Sequence, residues 1–465
     1  MSALPPNWVW ARVGDLVELG PKNQADDETD AGFVPLQRMG VNYRSRHSLE
    51  VRPWGAIKKG YTHFMDGDVL LARITPSFEN GKGGIVRGLP NGIGAGSTEY
   101  FVCRPIRDAL LSEYLLAHFK TPRFLHYGEQ VMSGAVGQQR VPKNYVLDSQ
   151  LPLAPLNEQK RIADKLDTLL ARVDACRERL DRVPTVLKRF RQSVLAAATS
   201  GKLTEEWREE VHAGIWGTVS IEQIAEQVFD GPFGSHLKSK DYSETGVRVV
   251  RLENIGWLKF IEDKRTFIPH QKYDSLQRHT LRADDILLSS FLSEEVRVCL
   301  LPVGLSENAI NKADCFCIRL DCNRCSPQFV AMRLASKSTF IALNEQVHGA
   351  TRPRINLGQL KAFNLDLPPL TEQAEIVRRV EALFACADRL EARYAAARAQ
   401  VDRLTPALLA KAFRGELVPQ DPDDEPASVL LERLRAARAA APPKPRSRRD
   451  AGRQKEAQTA VVPAP

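Results

Sequence analysis

The stretch LPLAPLNEQKRIADKLDTLLARVDACRERLDRVPTVLKRFRQSVLAAATSGKL, Leu151–Leu203, returns 214 residues later. The second copy, Leu365–Leu417, reads LDLPPLTEQAEIVRRVEALFACADRLEARYAAARAQVDRLTPALLAKAFRGEL. The two superpose without a gap: Leu151/Leu365, Pro155/Pro369, Leu156/Leu370, Glu158/Glu372, Gln159/Gln373, Ile162/Ile376, Gly201/Gly415 and Leu203/Leu417 coincide. A duplication this long sets the architecture before any single motif is weighed.

Both copies read as helices. Apolar residues fall at Ile162, Leu166, Leu169, Val173, Cys176, Leu180, Val183, Leu187, Phe190 and Val194. The matching set is Ile376, Val380, Leu383, Ala387, Leu390, Tyr394, Ala397, Val401, Leu404 and Leu408. Steps of four and three alternate throughout, which is the seam of a coiled coil. Asn157 and Thr371 are the expected N-caps, each followed by a glutamate suited to the positive end of the helix dipole. Gly201 and Gly415 are the expected stops, and Pro184 and Pro406 predict a kink or short break. A seam of that length has no use in a lone helix, so the two copies are expected to pair. Each helix of about 40 residues is roughly 60 Å long. The chain leaves one globular segment along the first helix and returns along the second, so the pair is antiparallel.

The bulk numbers agree. At 465 residues the chain is too long for one ordinary core. Its 43% hydrophobic and 26% charged residues describe a globular protein, and the formal charge of +8 suits a nucleic-acid partner. The tail after Pro442 (KPRSRRDAGRQK) supplies much of that excess. No signal peptide and no membrane-spanning apolar run is visible, so a cytoplasmic chain is expected. Eight scattered cysteines fit that compartment. Cys315, Cys317, Cys322 and Cys325 have the types for a thiolate zinc site, but the plainer reading, which we prefer, puts Cys315 and Cys317 on one face of a strand and Cys322 and Cys325 beside a turn.

The globular segments also echo each other. WARVGDLVEL from Trp10 resembles WGTVSIEQIA from Trp216, VPLQRMG at Val34 resembles VVRLENIG at Val249, GDVLLARI at Gly67 resembles DDILLSSF at Asp284, and EYFVCR at Glu99 resembles CFCIR at Cys315. Short β-branched runs between Gly/Pro/Asn clusters indicate mixed α/β domains rich in strand. The expected boundaries are a first domain over 1–155, helical regions over 156–212 and 369–440, a second domain over 213–368, and a disordered basic tail over 441–465. The fold class is mixed α+β: two similar globular domains joined by a long antiparallel two-helix coiled coil with a pseudo-twofold repeat.

No catalytic apparatus is visible. SGKL at Ser200 and NGKGG at Asn80 lack the spacing of a Walker A loop, and no glycine fingerprint for a dinucleotide or S-adenosylmethionine occurs. PPNW at Pro5 only scrambles the tetrapeptide of adenine methyltransferases, and the histidines are isolated. Two variable domains on a measured spacer make a binding layout.

The PPL-x-EQ, heptad and GKL/GEL combination resembles the central and distal conserved regions of specificity subunits of type I restriction–modification systems. KRFRQSVL and GKLTEEWR bring it closest to the type IA group. LARITPSFENGKGG at Leu71, GSTEYFV at Gly96 and DGPFGSHLK at Asp230 are similar to segments of that family's target-recognition domains. The resemblance implies a non-catalytic subunit in which each domain reads one half of a bipartite, asymmetric DNA site. It implies helices that set the spacer and dock two modification (methyltransferase) subunits, which bring S-adenosylmethionine and methylate adenine at N6. It further implies two restriction (motor–nuclease) subunits that use ATP and Mg²⁺, with no cofactor in this chain. Exposed Arg161, Lys165, Arg172 and Arg177 are candidates for the docking surface.

Candidate DNA contacts are Arg73, Asn80, Lys82 and Arg140 in the first domain, and Ser235, His236, Lys238, Arg352 and Arg354 in the second. Gly81, Gly83, Gly234 and Gly349 beside them permit close backbone approach. Arginine and lysine supply phosphate affinity and register, while base edges carry the sequence. The rival readings are a self-contained nuclease or methyltransferase with an unrecognised site, and an adaptor whose end domains bind protein.

Overall fold

The computed structural model describes residues 4–135, 137–234, 236–305, 309–347 and 353–440; the basic tail lies outside them. The chain divides into two compact units, Met1–Arg179 with Ala397–Pro465, and Leu180–Ala396. Each long helix, Leu156–Thr199 and Leu370–Ala412, contributes to both.

In the first unit, β1 (Val9–Arg12) pairs antiparallel with β10 (Gln150–Leu153). β2 (Val17–Leu19), β6 (Val69–Ala72), β7 (Gly83–Ile85) and β9 (Tyr100–Pro105) form a sheet in the order β2-β9-β6-β7. A second sheet has the order β4-β3-β8-β5, from β3 (Asp30–Val34), β4 (Glu50–Pro53), β5 (Thr62–Met65) and β8 (Ile93–Gly96). Only β3 and β8 run parallel within it. β6 reads VLLA with all four residues buried, the continuous apolar run of a central strand.

The second unit repeats this plan. β11 (Gly217–Ser220) pairs with β19 (Asn364–Leu367). β12 (Ala225–Phe229), β15 (Ile286–Ser289), β16 (Val298–Leu300) and β18 (Cys315–Leu320) take the order β12-β18-β15-β16. β13 (Val247–Val250), β14 (Phe267–Ile268) and β17 (Ala309–Asn311) take the order β14-β13-β17, with β13 and β17 parallel. A bridge from Thr280 to Ile310 stands where β5 flanks β8. The duplication therefore extends through the domains. Its register differs from the sequence alignment: β1 matches β11, so the counterpart of Trp216 is Trp8 and not Trp10.

Within each unit the helices run antiparallel. In the first, Ile162 and Leu166 near the start of one helix share a core with Leu409 and Ala412 near the end of the other, and Arg177 further along pairs with Asp402 (3.4 Å), so partner numbers fall as residue numbers rise. In the second, Arg191 bonds Asp388 (2.6 Å) and Glu391 (2.7 Å), while Val194 and Leu195 further along share a core with Ile376 and Val380. Ile162, Leu166 and Leu170 share a core with Trp8, Tyr114 and Phe119 of the first domain, joined by Leu409 and Ala412 of the second helix. Ile376 and Val380 share one with Val194, Leu195, Phe316 and Phe329. The helix stripes are thus domain core as much as coiled-coil seam.

The heptad list needs correction in its middle. Ile162, Leu166, Val173, Leu187, Ile376 and Val380 are buried, and Leu169, Leu180, Leu383, Val401 and Leu408 are half-buried, but Leu390 is 46% exposed and Cys176, Phe190 and Leu404 are exposed too. The buried stripe steps from Leu169 to Leu170 (2% exposed) and from Leu408 to Leu409 (1%). A straight helix turns every 3.6 residues, so a strict 3.5-residue list drifts about 20° per heptad and walks off the contact.

The helix ends also differ in detail. The helices begin at Leu156 and Leu370, where the Pro155 and Pro369 carbonyls accept from the Gln159 and Gln373 amides (2.9 Å each). Asn157 and Thr371 therefore lie inside the first turn instead of capping it. Neither Pro184 nor Pro406 ends its helix; both sit at exposed positions, where the lost amide donor falls on the solvated side. Gly201 (φ 78°) and Gly415 (φ 72°) do lie just past the helix ends, in the left-handed conformation that glycine alone adopts without strain.

Candidate nucleic-acid interface

The repeated EQ motif is what seats each helix in its domain. Glu158 is buried and accepts from Trp8 Nε1 (2.9 Å) and Gln420 Nε2 (3.0 Å). Glu372 is buried and accepts from Trp216 Nε1 (3.0 Å), Thr204 Oγ1 (2.7 Å) and Arg208 (2.6 Å). Gln159 spans the Ala109 and Ala154 carbonyls and the Leu111 amide; Gln373 joins the Pro368 carbonyl to the Ser326 amide. A second repeated tie locks each main sheet: buried Asp68 takes Arg104 side-on (2.8 and 2.9 Å), and buried Asp285 takes Arg319 (2.9 and 2.7 Å).

On this frame the first domain brings two of its four candidate contacts together. Arg140 clasps Glu99 through Nε (3.0 and 3.1 Å) and Nη2 (2.7 Å), and Arg73 Nε lies 3.5 Å from the same carboxylate. The Arg73 guanidinium also covers the Phe101 ring at 5.5 Å. Hydrogen bonds from Arg140 hold the Glu99 carboxyl below the usual carboxylate range.

The other two candidates sit on the loop between β6 and β7, Asn80 exposed and Lys82 half-buried. Gly81 turns this loop at φ 66°. It is pinned by Lys120, whose ammonium donates to the carbonyls of Val41 (2.7 Å), Gly81 (2.5 Å) and Gly83 (2.8 Å). Burial pushes Lys120 down to about 7. An open cleft of about 1070 Å³ in the same unit is lined by Arg44, Arg46, His47, Arg87 and Lys160. Its charge is partly offset, because Arg44 pairs with Asp167 and Asp174 and Arg87 with Glu113.

In the second domain Arg354 pairs with Asp314 (2.5 Å) and covers the Phe291 ring at 5.7 Å. Ser290 Oγ donates to the same carboxylate (3.1 Å). Neighbouring Asp230 is pushed up to about 6, chiefly by burial. His236 and Lys238 are exposed beyond β12, and the Lys238 amide donates to Asp241 (2.7 Å). Ser235, Arg352 and Gly349 lie outside the described residues.

Of the helix candidates, Arg161 and Arg177 are tied to Asp424 and Asp402, whereas Lys165 and Arg172 are exposed with no ion pair among the described residues. The cysteines divide between cores, Cys315 and Cys317 in one and Cys325 in another, with Cys322 exposed. Among the described residues no cluster of His, Cys, Asp or Glu is placed to hold a metal ion. Nor is any described helix long and apolar enough to cross a membrane.

Sequence reasoning missed Glu99, Asp314 and Lys120. The first two had a signal: Glu99 opens EYFVCR, and Asp314 stands at the matching place, one residue before CFCIR. Lys120 had none, because its partners are backbone atoms.

Comparison with known proteins converges on one family. The family model described as "Type I restriction modification DNA specificity domain" matches residues 5–184 and 291–397. The EcoKI specificity subunit of Escherichia coli K12 is 34% identical over 362 residues, covering 75% of this chain and 76% of that one. The EcoAI specificity subunit of Escherichia coli is 27% identical over 83% of this chain and 79% of its own. Among solved structures, a chain of a type I R-M system superposes with TM-score 0.68 at 21% identity, over 90% of this chain and 100% of that one. The HsdS subunit from Thermoanaerobacter tengcongensis gives 0.57 at 21% identity, over 89% and 98%. With its repeated domains, paired helices and family match over more than half its length, the chain belongs to the family of type I restriction–modification DNA specificity subunits.

Proposed function

We propose that this chain is the non-catalytic DNA-recognition subunit of a type I restriction–modification complex. Each globular domain reads one half of a bipartite, asymmetric site, and the paired helices fix the unread centre. The observation that carries this reading is the duplication itself: one topology, twice, each copy seated by the same EQ motif on an antiparallel helix pair. Two similar halves present two similar surfaces, so two copies of one modification subunit dock, with Lys165 and Arg172 available on the first helix. S-adenosylmethionine, ATP and Mg²⁺ belong to the modification and restriction subunits, two of each. Adenine within a duplex is inaccessible, so the modification subunit flips it out while this chain holds the DNA in register. The complex works in the cytoplasm. Domain boundaries near residues 155, 212, 368 and 440 follow from this division of labour. DNA contact is assigned to Arg73, Asn80, Lys82, Arg140, Ser235, His236, Lys238, Arg352 and Arg354.

The test is to express the chain with its modification subunit in a host free of adenine methylation and map N6-methyladenine across the genome. One asymmetric motif with a fixed unread centre is expected. Methylation or cleavage by the purified chain alone would favour the enzyme reading, and binding without sequence preference the adaptor reading.

A further inference from the structure

The arginine–carboxylate node recurs in both domains on one backbone frame. In the first, the Arg73 amide donates to the Glu99 carbonyl (3.0 Å), the Thr75 amide to Gln139 (3.0 Å) and the Val141 amide to Arg73 (2.8 Å). In the second, the Ser290 amide donates to Asp314 (2.9 Å), the Leu292 amide to Pro353 (2.9 Å) and the Ile355 amide to Ser290 (2.9 Å). Bridges Ile74–Arg140 and Phe291–Arg354 complete the match. Glu99 thus corresponds to Asp314 and Arg140 to Arg354, while the residue at the third corner changes from Arg73 to Ser290.

Two domains that read different half-sites cannot tell them apart with a side chain they share. This step rests on the bipartite reading proposed above. A shared cation that remains solvent-facing, with the Arg140 side chain 38% and the Arg354 side chain 44% exposed, suits what both half-sites have in common: the phosphate backbone. We infer that Arg140 and Arg354 are paired phosphate anchors that carry no sequence information, and that Glu99 and Asp314 are positioning residues that aim them. Discrimination then falls to positions where the copies differ, such as the Asn80–Lys82 loop pinned by Lys120, whose counterpart at the end of the matching helix is Ala335. The nodes also differ in charge. Arg73 adds a cation to the first, whereas Asp230 adds an acid to the second.

The experiment compares Arg140→Gln and Arg354→Gln with wild type, each in complex with the modification subunit. Three readouts are taken: the methylated motif, the slope of log affinity against log salt, and the thermal midpoint. Each variant is expected to keep every letter of the motif while its salt slope falls by about 0.9, the loss of one phosphate contact. Glu99→Gln is expected to reproduce part of the Arg140→Gln change, and Glu99→Asp to restore the wild-type slope. A changed or relaxed letter would make the arginine a base reader, and an unchanged slope would remove it from the DNA; either overturns the inference. A variant that melts early without a change of slope assigns the node to folding alone, which also overturns it. Should one variant fail to fold, the other domain's variant decides. A wild-type complex lacking a bipartite motif would instead refute the functional proposal, so the two failures are distinct.

Discussion

At the scale of single residues, the pseudo-equivalent glutamates Glu158 and Glu372 make opposite contributions to pH dependence. Burial raises Glu158, and the hydrogen bond from Trp8 and the nearby charge of Arg161 only partly compensate. Burial also raises Glu372, but Arg208, Thr204 and Trp216 more than reverse it, leaving it below the ordinary value. A raised carboxyl binds its proton more tightly in the folded state, so its unit gains stability as pH falls through the folded pKa toward about 4.3. A lowered one supplies stability above that value, which is lost as pH falls through its folded pKa. At pH 7.5, Glu372→Gln should therefore cost about 2 kcal/mol in the second unit, because it strips the charge partner from an Arg208 that is only 28% exposed. Glu158→Gln should be near neutral, since an amide still accepts from Trp8 and leaves no cation unpaired. Calorimetry of both variants from about pH 3 to 8 checks this; equal losses at neutral pH would refute the asymmetry. The repeated EQ was plain in the sequence, whereas its role as a socket for an indole was not. Trp8 and Trp216 belong to other elements, and only the strand register brings them to the glutamates.

For the helices, periodicity showed the long elements and their pairing but placed the contact stripe only in part: Val173 and Leu187 are buried, whereas Leu169, Leu390 and Leu408 lie off it. Ile162, Leu166, Ile376 and Val380 were legible because each packs against a domain core as well as the partner helix. Leu390 was misread because a two-helix pair covers one narrow stripe, and drift carries that position out of it. The correction is measurable. Leu170→Ala should destabilise the first unit by about 3 kcal/mol, as expected for a well-packed core leucine. Leu169→Ala, at the nominal seam position but half-buried, should cost about 1 kcal/mol, and Leu390→Ala less still. Denaturant titration of the three variants ranks them. An order following the heptad list, with Leu169 above Leu170, would show that the helices supercoil more than their buried residues indicate.

For the whole molecule, the chain closes its two units reciprocally. The segment after the first long helix seats the start of the second, through Thr204 and Arg208 on Glu372. The segment after the second seats the start of the first, through Gln420 on Glu158 and Asp424 on Arg161. The first unit thus draws on both ends of the sequence, while the second lies within one continuous run, Leu180–Ala396. Sequence comparison found the repeat but not this crossing, because GKL and GEL look like mere helix stops until their contacts are known. Truncation after Pro419 separates the two units experimentally. It removes Gln420, Asp424 and the Ala427–Ala440 helix, whose Leu430 and Leu431 are 3% and 2% exposed in the first core. Burying two leucines is worth roughly 3–6 kcal/mol, and loss of the Asp424 pair adds to it. That is a large part of a typical domain's stability of about 5–15 kcal/mol. The first unit should therefore melt at lower temperature and become protease-sensitive around Trp8, while the second keeps its midpoint because every tie on Glu372 remains. Limited proteolysis with mass mapping distinguishes the outcomes: cleavage confined to the first unit is expected, and equal loss in both would mean that the crossing ties do not act unit by unit.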